Sequence, residues 1–120
     1  MKENNQIAVD SKNFAIRIVK LYKYLNNVKK ESVMSKQILR SGTSIGANIS
    51  ESIFAQSRHD FISKLSISLK EASETKFWLE ILHETDFIND VQFDSLYEDN
   101  SKLIGTVVNI INSTKNNNNV

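Results

Sequence analysis

The chain contains no proline and only three glycines among its 120 residues, while its apolar residues recur at steps of three and four. Strands joined by tight turns normally need more glycine and proline than this. Steps of three and four place side chains on one side of an α-helix. Together, the two features argue against a mainly β fold and predict an all-α protein.

Four amphipathic segments are separated by short polar breaks. The predicted helices span residues of about 11–29, 33–56, 58–84 and 91–113. Short connections favour antiparallel neighbours, so we predict one domain folded as an antiparallel up-down-up-down four-helix bundle. Residues 1–10 are polar and are predicted to be a flexible N-terminus. The asparagine-rich residues 114–120 have little to bury and are predicted to be a disordered tail.

The apolar stripes of the four segments supply the predicted core. The stripe of the first helix is Phe14, Ile18, Leu21, Leu25 and Val28, and that of the second is Ile38, Ile45, Ile49 and Phe54. Other large apolar residues lie off these stripes, among them Ile16, Val19, Ile67, Trp78 and Ile81. A second apolar stripe marks an interaction surface, and tryptophan is a favoured anchor there. The alternative is a wide core stripe with a few scattered exposed side chains.

The middle of the second segment is rich in small residues. Glycine in a helix interior costs about 1 kcal/mol relative to alanine, yet Gly42 and Gly46 stand four residues apart, followed by Ser50. In a continuous helix these residues form one stripe that another helix can approach closely. The alternative is a loop, with one helix ending near Arg40 and the next beginning near Ser44.

Charge is distributed unevenly along the chain although the net charge is +1. Residues 1–40 contain nine basic and three acidic residues, and residues 41–120 contain six basic and eleven acidic ones. The candidate nucleic-acid contacts are Lys12, Arg17, Lys20 and Lys23 on the first helix, which would bind phosphates by charge. Against this, no nucleic-acid reader motif occurs and the chain is nearly neutral. Pairing of complementary helices explains the same asymmetry.

No arrangement of residues typical of catalysis is found, so we predict no enzyme activity, cofactor, metal or small-molecule substrate. Cysteine is absent, and no glycine-rich phosphate loop is present. Glu80 and His83 have the Glu-x-x-His spacing of di-iron bundles, but those proteins carry it on two helices. No signal peptide or membrane-spanning stretch is recognised, so the cytoplasm is the predicted location.

Three runs of the sequence resemble one known family. They are residues 41–51 (SGTSIGANISE), 60–65 (DFISKL) and 70–79 (KEASETKFWL). In this order they are similar to the bacterial four-helix-bundle family of large-subunit ribosomal RNA intervening-sequence proteins. The resemblance extends from about Phe14 to Ser113. Related proteins are accessory factors of diversity-generating retroelements, where a basic barrel binds nucleic acid and a reverse transcriptase.

The resemblance implies a bundle that assembles with itself into a ring, a homopentamer, without established catalytic residues. Within the matching runs we assign Gly42, Gly46, Asn48 and Ser50 to close helix packing and buried hydrogen bonding. The predicted subunit interface is Ile67, Lys70, Glu71, Glu74, Trp78 and Ile81. We therefore expect a non-enzymatic homo-oligomeric scaffold or accessory protein, associated with ribosomal RNA. The alternative is a nucleic-acid-binding module that uses the basic first helix; another protein is a further candidate partner.

Overall fold

In the computed structural model, the backbone of residues 2–117 and the side chains of residues 6–117 are described. Four helices follow one another: α1 (Lys2–Asn27), α2 (Met34–Ser52), α3 (Arg58–Glu84) and α4 (Asp90–Asn117). Helices α1 and α3 each lie against α2 and α4, whereas within these residues no Cα atoms of the diagonal helices come within 8 Å of each other. The predicted antiparallel up-down-up-down four-helix bundle is therefore confirmed.

The core is a column of apolar side chains from all four helices. Its largest fully buried members include Phe14, Ile18, Leu25, Ile38, Ile45, Ile49, Leu65, Leu79, Leu82, Val107 and Ile110. Each such side chain contributes about 1.5–3 kcal/mol when it leaves water. Two predicted core residues lie outside this column. Val28 is the first residue after α1 and Phe54 is the second residue after α2, so both are exposed, Phe54 by 82%.

The first helix begins at Lys2, nine residues before the predicted start at Ser11. Ile7 lies seven residues before Phe14 and continues its stripe, and it is only 2% exposed in the core. Residues 2–10, which were predicted to be a flexible N-terminus, are therefore part of α1 in this structure. At the other end of the chain, α4 continues to Asn117, four residues beyond its predicted end; residues 118–120 of the predicted tail lie outside the described part.

Local hydrogen bonds set the starts of α3 and α4. The Ser57 hydroxyl accepts from the Asp60 amide at 3.0 Å, as expected for a capping residue. At α4, Asn89 and Gln92 bond reciprocally, each side chain accepting from the other's backbone amide at 2.8 Å. This is a capping box. The cap of α4 is therefore Asn89.

The second helix is continuous through Gly42 and Gly46, so the loop alternative is wrong. Its seam with α3 contains buried polar contacts. The Ser68 hydroxyl donates to the backbone oxygen of Ile45 at 2.9 Å, and the Thr75 and Ser41 hydroxyl oxygens lie 2.9 Å apart. A buried polar group without a partner costs about 1–3 kcal/mol. Sliding one helix along the other would break both contacts, so they set the height of α3 against α2.

Candidate interaction surfaces

A row of large apolar and charged side chains lies on the side of α3 that points away from the core. We call it the α3 outer face; it consists of Ile67, Lys70, Glu71, Glu74, Phe77, Trp78 and Ile81. Phe77 is 51% exposed and Ile67 is 38% exposed, while Trp78 and Ile81 are half-buried. The rings of Phe77 and Trp78 meet edge to face with their centroids 5.0 Å apart. All six predicted interface residues thus share one side of the helix, joined by Phe77.

Arg40 of α2 links this face to the neighbouring helix. Its guanidinium bonds Glu71 Oε2 at 3.1 Å and also pairs with Glu74 Oε2. The same Glu74 oxygen accepts a hydrogen bond from Trp78 Nε1 at 3.1 Å. One carboxylate therefore holds both the arginine and the indole, which restricts the orientation of the tryptophan ring.

The electrostatics of this cluster follow from its short contacts. The hydrogen bond from Arg40 lowers the pKa of the Glu74 carboxyl below its usual range, and the Trp78 indole adds to the same effect. The same bond to Glu74 raises the pKa of Arg40. One arginine serves two carboxylates, so the cluster of Arg40, Glu71 and Glu74 carries one uncompensated negative charge at neutral pH.

The four basic residues predicted on α1 do not all share one side of the helix. Lys12, Lys20 and Lys23 are exposed. Arg17 turns towards α4, where it bonds Asp99 Oδ2 at 2.5 Å and Ser95 Oγ at 2.8 Å. The ion pair stabilises the contact between α1 and α4 and takes Arg17 out of the candidate nucleic-acid surface. No sequence pattern indicated this pair, because its members lie 82 residues apart.

The small residues of α2 bring α1 close. A β-carbon added to Gly42 would lie 2.8 Å from Ile18 Cγ1, and one added to Gly46 would lie 3.1 Å from the backbone oxygen of Ser11. The two other residues assigned to close packing behave differently. Asn48 donates to Ser44 within its own helix, and Ser50 is exposed. Asn48 is half-buried and its hydrogen bond is partly buried, whereas Ser50 lines the open surface between α1 and α2. Close helix packing by these two residues stays a prediction.

Outside this contact line the surface between the two helices is concave. A groove of about 440 Å³, which we call the α1–α2 groove, is lined by Ala8, Lys12, Ala15, Thr43, Gly46, Ala47 and Ser50. Most of these side chains are small, so little side-chain volume fills the groove. Val19 and Ile16 of α1 are also exposed, by 36% and 46%. A patch of this kind is suited to contact with large apolar side chains.

The histidines take part in local contacts. His83 stacks on Phe93 with ring centroids 4.2 Å apart, and its Nε2 lies 2.7 Å from Asp90 Oδ1. His59 is exposed at the start of α3. Within the described residues, no group of three or more His, Cys, Asp and Glu side chains is arranged to bind a metal ion. None of the helices, as far as they are described, has the length and apolar character needed to cross a membrane.

The fold and these surfaces define the class of the protein. It is a small antiparallel helical bundle with exposed apolar and charged side chains on its outer faces. Residues 3–109 match the profile of the 23S rRNA-intervening sequence proteins. The chain therefore belongs to the 23S rRNA-intervening sequence protein family. No curated protein matches it.

A similar solved structure supports the same placement. It is a protein with unknown function from the S23 ribosomal protein family of Bacteroides thetaiotaomicron VPI-5482. The two chains are 54% identical, the match covers 92% of this chain and 98% of that one, and the TM-score is 0.91. Identity at this level over nearly the whole length means that the two proteins share both fold and family.

Proposed function

We propose that this protein is a non-enzymatic, homo-oligomeric scaffold or accessory protein that acts in the cytoplasm by assembling with itself. The observation that supports the proposal is the α3 outer face. Phe77 and Ile67 expose large apolar surface there, and Trp78 is held by Glu74. A side chain already restricted in the free subunit loses little conformational entropy on binding. Such a tryptophan is a typical interface anchor.

Family membership makes a closed ring, and specifically a homopentamer, the proposed form of the assembly, with ribosomal RNA as the associated molecule. The geometry of the bundle agrees with a scaffold. The described surface offers two long side faces, and open grooves run between α1 and α4 and between α1 and α2. The mechanism we propose is the presentation of several identical bundles in one particle.

The test is the native mass of the protein purified without nuclease treatment. The wild type is expected as a ring, at about five times the 13.7 kDa chain. Trp78→Glu places a charge in the contact and should yield monomers with far-ultraviolet circular dichroism close to the wild type. Because Trp78 is half-buried, Phe77→Glu provides a second variant whose side chain is half exposed.

The matched control is Val91→Glu. Val91 is 78% exposed in the first turn of α4 and lies outside the α3 outer face. This variant should keep the wild-type mass. A monomeric wild type at micromolar concentration overturns the proposed assembly. If both Trp78→Glu and Phe77→Glu keep the wild-type mass, the α3 outer face is not part of the subunit interface.

A second function, nucleic-acid binding, is favoured by the exposed lysines of α1. Lys12, Lys20 and Lys23 are free of ion pairs in the described structure, and no acidic residue occurs from Ser11 to Asn27. Changing both Lys20 and Lys23 to Glu should abolish RNA binding measured at fixed salt concentration. Unchanged affinity would reject this role. Nucleotide mass retained on the wild-type protein would rank RNA binding above scaffolding.

A further inference from the structure

We propose that the α3 outer face of one copy docks into the α1–α2 groove of the next copy. This inference rests on the proposed self-association and identifies the two surfaces that meet. They are different surfaces of the same chain, so the contact is heterologous, and each copy both inserts a helix face and receives one.

The shapes of the two surfaces are complementary. The α3 outer face carries the paired rings of Phe77 and Trp78, with Phe77 half exposed. The α1–α2 groove is lined largely by small side chains, including Ala15, Gly46 and Ala47. The large side chains of the α3 outer face can enter the space that the small side chains of the α1–α2 groove leave open. Helices pack in this way when the ridges of one enter the grooves of another.

The heights of the two surfaces along the bundle also agree. Gly46 lies against Ser11, and its neighbour Ile45 accepts from Ser68, so Ser11 and Ser68 are nearly level. About two turns further along α1 and α3, Gly42 lies against Ile18 while Ser41 contacts Thr75. A residue of α1 is therefore level with the residue of α3 that follows it by about 57 positions, because the two helices run in the same direction.

In a ring whose axis runs along the bundles, parts of equal height meet. This rule places the exposed Val19 beside Phe77 of the next copy, and the ammonium of Lys12 beside the level of Glu71. An apolar pair and an opposite-charge pair are thus formed together. Both pairs agree with this rule to within about two residues, or about 3 Å of helix rise. A shift by a full turn or more, at least about 5.4 Å, would separate both pairs, which gives the contact its register.

Charge favours the same pairing. The part of α1 from Ser11 to Asn27 contains four basic residues and no acidic one. On the α3 outer face, Arg40 compensates only one of its two carboxylates, and Lys70 is the single lysine of the face. A lysine of the neighbouring copy can supply the missing partner for Glu71, which remains 20% exposed.

The positions of the two surfaces allow the assembly to close. Both lie beside α2: Arg40 draws the α3 outer face towards α2, and the groove lies between α2 and α1. In a bundle of square section, such surfaces face directions about 90–110° apart, which closes a ring of about four to five copies. Contact through the diagonal helices α1 and α3 alone would produce an open row.

The test uses two variants that each block one surface. Phe77→Glu blocks the α3 outer face, and Ala47→Glu blocks the groove at an exposed helical position where glutamate suits the helix. Each variant alone should be monomeric. Mixed at about 100 µM, they should form a one-to-one dimer and nothing larger, because only one intact contact remains and ring avidity is lost. Ser101→Glu, at an exposed position of α4, is the control and should keep the wild-type mass.

The outcomes separate this inference from the proposed function. Wild-type assembly by Ala47→Glu, together with monomeric Phe77→Glu, would overturn the groove as the receiving surface and leave the proposed scaffold intact. Two monomeric variants that fail to pair on mixing would overturn the heterologous contact. A monomeric wild type would refute the proposed assembly itself. A one-to-one dimer in the mixture establishes the contact.

Discussion

Alanine at Gly42 should destabilise the bundle, whereas alanine at Gly105 should stabilise it. Both glycines lie inside helices, so the change to alanine gains about 1 kcal/mol of helix propensity at either position. The surroundings differ. A β-carbon at Gly42 would lie 2.8 Å and 2.9 Å from two carbons of Ile18, while one at Gly105 meets nothing within 4 Å.

The magnitude follows from the cost of overpacking. Ile18 is fully buried and β-branched, so it cannot swing into solvent to make room. Forcing an extra methyl into such a core costs about 1–3 kcal/mol. For Gly42→Ala the net change in unfolding free energy is therefore a loss of up to about 2 kcal/mol. The propensity gain is common to both variants. The difference between the unfolding free energies of Gly42→Ala and Gly105→Ala therefore reports the clash with Ile18 alone.

Urea unfolding followed by circular dichroism at 222 nm measures this gap, at one protein concentration because self-association adds to apparent stability. A gap of about 2 kcal/mol corresponds to midpoints separated by about 1 M urea. Gly46→Ala should fall between the other two, since its β-carbon would lie 3.1 Å from the Ser11 backbone. A Gly42→Ala midpoint equal to or above that of Gly105→Ala would refute the close packing of α1 on α2.

Three further predictions concern single side chains. Ile7→Ala should lower the free energy of unfolding by about 2–4 kcal/mol in urea titrations, because Ile7 is 2% exposed; no loss would mean that the N-terminal residues do not pack. Thr75→Val should cost about 1–2 kcal/mol, since the buried Ser41 hydroxyl then keeps only a long contact of 3.5 Å to the Ile38 backbone oxygen, and an unchanged midpoint would count against the bond to Thr75. The lowered pKa of Glu74 stabilises the fold above the ordinary glutamate pKa of about 4.3, and this stabilisation is lost as the pH falls through the folded-state value. The advantage of the wild type over Glu74→Gln, under about 1 kcal/mol, should thus be present at pH 7 and decrease as the pH falls below the ordinary glutamate pKa, and a pH-independent difference would contradict it.

Much of the fold could be predicted because its signals are local. The apolar steps of three and four in residues 58–84 mark α3, and the predicted bounds agree with the observed helix. The order and short spacing of the helices then predicted the antiparallel bundle. Side-chain spacing within one helix also identified the α3 outer face, since residues at such steps share a side whatever the helix packs against.

The errors lie where the answer depends on another segment. Ile7 follows five polar residues, Lys2 to Gln6, and only the packed structure shows that it has a core to enter. Phe54 looked like a core residue until the end of α2 at Ser52 placed it in a turn. Arg17 carries the same charge as its lysine neighbours, yet an aspartate 82 residues away removes it from their surface.

The amino-acid sequence by itself determined that this protein is an all-α bundle of four helices, and its motifs placed it in its family. Helical periodicity and family motifs are properties of neighbouring residues, so both can be read without a structure. Only the tertiary structure decided that Arg40 joins two carboxylates beside Trp78, that Gly42 and Gly46 receive α1, and that a groove lies outside that contact. These features arise between helices, because the distance between residues far apart in the chain is set by packing and not by sequence spacing.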